Sequence, residues 1–244
     1  MEFQLAALSS IAALAVFALW RGFLTPRGAA SAIVVGSLAV LAHVGLFLLL
    51  VWFFVTSSLF TKLKADWKKS IGLKDVSGRS LGQVFGVGTP IALFAFLYIL
   101  TGDVKFLGAA AVAVAVATAD TWASEIGVAY GGAPRYILTP WRRVEPGVSG
   151  GVTPVGVLAS LAGAFTVGVL AQIFTSVDFW KVALLGYVGE LLDSVLGAAL
   201  QIKYICNGAV SETQRAGCVK RGFLTNESVN LISGVSVGVL FIFL

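Results

Sequence analysis

Eight apolar stretches occupy most of this 244-residue chain, and six of them are 18 residues or longer. They run over residues 3–20, 29–43, 45–60, 82–101, 105–129, 152–174, 179–200 and 227–244. About 20 apolar residues in a helix cross the ~30 Å hydrocarbon layer of a bilayer. None of these stretches alternates residue by residue as a barrel strand does, and no other open backbone survives in lipid. The expected fold class is therefore all-α. The chain reads as one integral membrane domain, a polytopic bundle of about seven or eight spans joined by long loops. Composition agrees, with 12% charged residues against about 25% in soluble domains. The first stretch has no basic residue ahead of it and no small-x-small site before Arg21, so it reads as a span and not as a cleaved signal.

Charge orients the bundle. With eight spans, Lys105 and Lys181 fall on one side and the other 15 of the 17 lysines and arginines on the opposite side. That bias makes the long loops cytoplasmic, in the cell membrane of a prokaryote or in an organellar membrane. It also accounts for the net charge of +5 without a nucleic-acid partner. Segments two and three meet at "AHVG", residues 42–45, as a tight hairpin or as a partly re-entrant pair.

Against this background, four carboxylates stand out. "ADTWASEIG" places Asp120 and Glu125 in the fifth segment, and "ELLDS" places Glu190 and Asp193 in the seventh. At 1.5 Å per residue, Asp120, Glu190 and Asp193 reach ~22, ~16 and ~21 Å from the outer ends of their helices. Glu125 lies nearer the cytoplasmic interface. Intramembrane acids are costly and mark function by default. Apart from Lys105 and Lys181 at the outer ends, no lysine or arginine accompanies them in those spans, so buried salt bridges are not expected. Hard oxygen ligands suit Mg²⁺ or Mn²⁺. Protonated, hydrogen-bonded carboxyls are the alternative.

Three polar motifs flank the acids. "EPGVSGGVTPVG" is a glycine-rich loop with Ser149, Gly150 and Gly151 ahead of Thr153, an expected N-cap, and Pro154, an expected first helical residue. Such a loop offers backbone N–H groups and a positive helix end to phosphate, and Arg142 and Arg143 precede it. In "KKSIGLKDVSGRSLGQ", Lys68, Lys69 and Lys74 suit headgroups or a positive-inside loop, while Arg79 and Gln83 stand i,i+4 at the mouth of segment four. In "TNESVN", Asn226 and Asn230 are also i,i+4, able to bind a nucleotide or a metal-bound water; Asn226 also fits a simple cap. Cys206 and Cys218 are expected as a free cytoplasmic pair, a disulfide being the hyperthermophile variant. His43 is assigned no catalytic role.

"ADTWASEIG", "PGVSGGVTPVG", "LLDSVLGAALQ" and "TNESVN", with "FFVTSSLFTKLK" and "SGRSLGQVFGVG" before them, resemble in order and spacing the membrane phytyl-phosphate kinase family. The resemblance runs from about Pro26 to the C-terminus. It implies CTP-dependent phosphorylation of an isoprenyl monophosphate to the diphosphate, and kinship with dolichol kinase and phosphatidate cytidylyltransferase. It implies Asp120, Glu125 and Asp193 as metal-site positions, with Glu190 added from its depth. It also implies Ser149, Gly150, Gly151 and Thr153 as the nucleotide-phosphate loop, and Arg79, Gln83, Asn226 and Asn230 as polar partners. The chain departs from the family pattern at Val87, where an asparagine is common, and at Ser149, where an amide or acid is common. The expected cofactor is Mg²⁺ or Mn²⁺, and the expected partners are CTP, an isoprenyl phosphate and the bilayer. A CDP-lipid-forming cytidylyltransferase and an ion or proton transporter using the buried acids are the alternative functions.

Overall fold

The structure is a computed structural model that describes residues 2–71, 78–206, 209–214 and 216–244, with side chains from residue 9 onward except at 209. Lys74 and Arg215 lie outside the described residues. Helices run over α1 Glu2–Trp20, α2 Pro26–Ala42, α3 Val44–Thr61, α4 Ala65–Ser70, α5 Leu81–Thr101, α6 Val104–Tyr130, α7 Pro154–Thr175, α8 Phe179–Leu200 and α9 Asn226–Phe243. Six of them, α3 and α5–α9, are long and apolar enough to cross a membrane. The described part of α1 and all of α2 are shorter apolar helices.

Small polar residues decide where the helices start. Thr25, Ser80, Asp103, Thr153, Asp178 and Thr225 each accept a backbone N–H of the following first turn, which satisfies one of the donors a helix start leaves open. α3 has no such residue before it, and His43 takes the role. Its backbone is extended (φ −163°, ψ 132°), and its Nδ1 accepts the Gly45 N–H at 3.0 Å. Segments two and three are therefore a tight hairpin broken at His43.

α6 is the axis of the bundle, touching α3, α5, α7, α8 and α9. Every residue from Leu107 to Ala119 is buried. The run "LGAAAVAVAVATA" carries nothing larger than leucine, so neighbouring backbones approach closely, as in packed membrane helices. Gly163 of α7 shows how closely: a Cβ there would stand 3.2 Å from the Cα of Ala119.

The loops are not featureless. One connection folds as β1 Arg135–Tyr136, β2 Thr139–Arg143 and β3 Gly151–Val152, in the order β2-β1-β3. The other folds as β4 Lys203–Cys206, β5 Ala209–Ser211 and β6 Val219–Arg221, in the order β5-β4-β6. Pairing of β4 with β6 sets Ile205 opposite Val219, and one step further brings Cys206 opposite Cys218. The two are joined as a disulfide with Cα atoms 4.5 Å apart. This corrects the expectation of free thiols, whose error was one of register: antiparallel pairing across the loop closes a distance that sequence spacing leaves open.

The sheets dock on the C-terminal turn of α8, where carbonyls lack helical partners. Lys203 Nζ donates to the carbonyls of Gly197 and Ala198, and the Tyr136 hydroxyl donates to Ala198 as well. The ammonium also lies 5.5 Å from the centre of the Tyr136 ring. Burial pushes the Lys203 ammonium from its ordinary 10.5 down to about 8, with the Glu212 carboxylate opposing. Between those values the unfolded chain holds a proton that the folded chain has released, so stability rises with pH across that window. Below pH 8 both states are charged and the folded state bears the full cost of burial. The melting temperature in detergent is therefore expected to climb from pH 8 to 10 in the wild type, and to lose that climb in Lys203→Met.

Candidate functional site

One cavity of about 560 Å³ opens among α1, α2, α3, α5, α6, α7, α8 and α9 at the end of the bundle that carries the sheets. The twelve residues that the resemblance and the depth of the acids pick out as metal, nucleotide or polar-partner positions all line it: Arg79, Gln83, Asp120, Glu125, Ser149, Gly150, Gly151, Thr153, Glu190, Asp193, Asn226 and Asn230. Arg142 and Arg143 do not; they sit on β2. The cavity has two parts. Its polar chamber is the part lined by the acids and small polar residues of α6, α8, α9 and the glycine loop, and its apolar arm the part lined by the mostly apolar residues of α1, α2, α3 and α5.

The acids divide into two groups. Asp120 acts electrostatically on both Glu190 and Asp193 across the α6–α8 interface. Glu190 and Asp193 are each about 95% buried. Ser194 donates to Glu190 at 3.2 Å, and Ser233 of α9 donates to Asp193 Oδ2 at 2.7 Å. Glu125 belongs elsewhere. Its Oε2 pairs with Lys68 Nζ at 2.5 Å, and its Oε1 accepts the Thr61 hydroxyl at 2.6 Å. Lys68 is 2% exposed and also donates to the Phe60 carbonyl at 3.1 Å. The expectation that no basic residue would pair with these acids is thus corrected at Glu125. The lysine arrives from α4, outside the spans, which a count within the spans misses.

The glycine loop lies against α8. Gly147 and Gly150 have φ of +87° and +78°, values that favour glycine. A Cβ on Gly150 would also come within 2.9 Å of the Ala198 Cα, and one on Gly197 would collide with the Ser149 hydroxyl. Thr153 caps α7 by accepting the Gly156 N–H at 3.0 Å, with Pro154 in the first turn. The Ser149 N–H donates to Glu212 Oε1 at 2.7 Å, and Gln201 Nε2 donates to the same oxygen at 3.1 Å. A carboxylate therefore already occupies an anion position on this loop.

At the start of α5, the Gln83 side chain accepts the Ser80 N–H at 2.8 Å in a capping box. Arg79 lies 5.1 Å from the centre of the Phe53 ring. Thr225, not Asn226, caps α9, so the simple-cap reading of Asn226 falls away.

Seven of the chain's 12 acids line the cavity: Asp120, Glu125, Glu145, Glu190, Asp193, Glu212 and Glu227. Arg79 is the single lysine or arginine among the described lining residues. Glu145 and Glu227 fall inside motifs quoted above; Glu212 sits in a polar loop with no periodic pattern to flag it. Among the described residues no group of three or more His, Cys, Asp or Glu converges on one metal position. This corrects a four-carboxylate cradle: Glu125 is held by Lys68, leaving Asp120, Glu190 and Asp193 as the acids that interact. An all-oxygen donor set with excess negative charge still fits a hard divalent cation that takes one or two carboxylates and completes its shell with waters and phosphate oxygens.

A described family, Integral membrane protein DUF92, matches residues 9–238. The chain belongs to this family. It is similar to the protein named Uncharacterized membrane protein MJ0933 of Methanocaldococcus jannaschii, at 31% identity over 79% of this chain and 73% of the relative. It is also similar to Protein PGR of Arabidopsis thaliana, at 32% identity over 76% of each chain. No solved structure matches. The matched residues reach into every helix, cover both sheets and include every residue that lines the cavity.

Removing one partner of a buried ion pair strands the other. Lys68→Met is expected to destabilise the protein by about 3 kcal/mol, the lower end for such pairs because Glu125 retains 14% exposure. Lys68→Met/Glu125→Gln is expected to recover most of that loss, and chemical unfolding in mixed micelles measures both.

Proposed function

We propose that this protein is a CTP-dependent, Mg²⁺-assisted kinase that converts an isoprenyl monophosphate to the diphosphate at the cytoplasmic face of the membrane. The observation that carries the reading is the two-part cavity. A polar chamber with a phosphate-type loop and interacting acids continues into an apolar arm among helices. A water-soluble donor and a lipid-borne acceptor need those two environments to meet at one point.

The chemistry asks little covalent work of the protein. An oxygen of the acceptor monophosphate attacks the γ-phosphorus of CTP, the β,γ-bridging bond breaks, and CDP leaves. That acceptor oxygen is already ionised near neutral pH, so no side chain needs to take a proton. Catalysis is positioning and charge stabilisation. A bound divalent ion would offset phosphate charge in a chamber lined by seven acids. Asp120 and Asp193 would hold it, with Glu190 beside them, and Ser194 and Ser233 orient the two α8 carboxylates. Ser149, Gly150, Gly151 and Thr153 receive the nucleotide phosphates, which replace the Glu212 carboxylate on the Ser149 N–H. Arg79 and Gln83 at the start of α5 and Asn226 and Asn230 at the start of α9 line the same cavity and are assigned to the acceptor phosphate or the base.

Incubation of purified protein with labelled CTP and geranylgeranyl or phytyl monophosphate is expected to yield diphosphate and CDP. Pyrophosphate release with a CDP-lipid product would favour a cytidylyltransferase instead, and ion uptake into proteoliposomes without nucleotide would favour a transporter. Asp120→Asn and Asp193→Asn are each expected to cut kcat by about 10²-fold or more, the scale of a lost charge-stabilising contact, with unchanged elution on gel filtration. Glu212→Gln removes a charged competitor from the loop. Its KM for CTP is expected to fall while Asp120→Asn leaves the KM for the lipid nearly unchanged.

A further inference from the structure

The cavity runs along α3, which lines it with Thr61, Phe54, Phe53, Val51, Leu50 and Phe47, and Phe47 is the one farthest along the helix from Thr61. Phe47 packs at once against the central core and against the separate cluster of Ile11 and Val40, so its ring is supported from behind. Ile11 lines the arm too and packs on Gly36 of α2, where an added Cβ would meet the Ile11 side chain at 3.5 Å.

Thr61 marks the polar end, because its hydroxyl bonds Glu125. From Thr61 to Phe47 is 14 residues of one helix, or ~21 Å at 1.5 Å per residue. An extended chain advances about 1.1–1.2 Å per bond, as the backbone does in covering 3.3–3.6 Å per three bonds. An isoprene unit adds four bonds along the chain. Four units then need about 18–19 Å and five about 22–24 Å, so the fourth fits above Phe47 and the fifth does not.

We propose that Phe47, backed by Ile11 and Val40, is the floor that sets tail length, admitting a single linear isoprenoid chain of up to about four units. The proposal rests on the isoprenyl-phosphate reading of the polar chamber and adds the residue that selects among such substrates. Leu50 stands i+3 from Phe47 on the same face of α3, three residues or ~4.5 Å nearer Thr61, about one isoprene unit, and lines the cavity too. It offers a second position at which the floor can be moved.

The test uses the full chain in lipid nanodiscs and prenyl monophosphates of two to six isoprene units with Mg²⁺ and no nucleotide, read by native mass spectrometry. Wild-type affinity is expected to rise through four units and to drop at least tenfold at five. Phe47→Ala is expected to move that drop beyond five units, and Leu50→Trp to move it back to after three, each with two-unit binding unchanged as the check on folding. A wild-type series with no drop overturns the proposal, as does a drop that neither variant moves while two-unit binding is retained. Turnover with CTP is assayed in parallel and separates the two readings. A drop at five units with no diphosphate from any nucleotide leaves the floor standing and removes the kinase. Diphosphate formation with equal kcat/KM from two to six units does the reverse.

Discussion

Negative charge at membrane depth is the constraint on which this structure depends. Seven acids around one cavity, with a single arginine among the described lining residues, would repel one another if left to themselves. The bundle answers in two ways. At Glu125 it supplies a lysine from outside the spans and a threonine from α3, closing a local charge balance. Glu190 and Asp193 accept the hydroxyls of Ser194 and Ser233, which orient the carboxylates without neutralising them, while Asp120 acts on both across the α6–α8 interface. Bringing these acids together requires α6 to be packed tightly. Small residues along its buried stretch hold α7 and α8 close enough for acids on different helices to interact.

Much of this was legible in the sequence. Hydropathy located the helices, because bilayer thickness dictates their length. Thr153 and Pro154 announced the start of α7, because cap chemistry is local. Depth along a helix predicted which acids would interact, because rise per residue is constant. What was hidden depended on contacts between distant segments. Lys68 is 57 residues from Glu125 and lies in a short helix with no long apolar pattern. Glu212 reaches Ser149 across 63 residues. The cysteines meet because of strand register inside a loop that reads only as polar and glycine-rich. Periodicity reports which face of an element is buried; it is silent on which loop residue a folded connection carries back to that face.

The two sheets also change the meaning of the loops. They clamp the end of α8 through Lys203 and Tyr136 and hold the glycine loop against Gly197 and Ala198. The disulfide closes the hairpin region that carries Glu212. The glycine loop is thereby fastened to the same helix that bears Glu190 and Asp193, so the spacing between its backbone N–H groups and the acids is set by one rigid body.

The break at His43 has a consequence for the surrounding lipid. α2 has 17 residues and spans ~25 Å at 1.5 Å per residue, short of the ~30 Å hydrocarbon layer. Beside α2 the helix and the hydrocarbon layer therefore differ by ~5 Å, a mismatch that costs fractions of a kcal/mol per Å. It falls on an element that lines the apolar arm, so bilayer thickness acts from outside on the cavity wall.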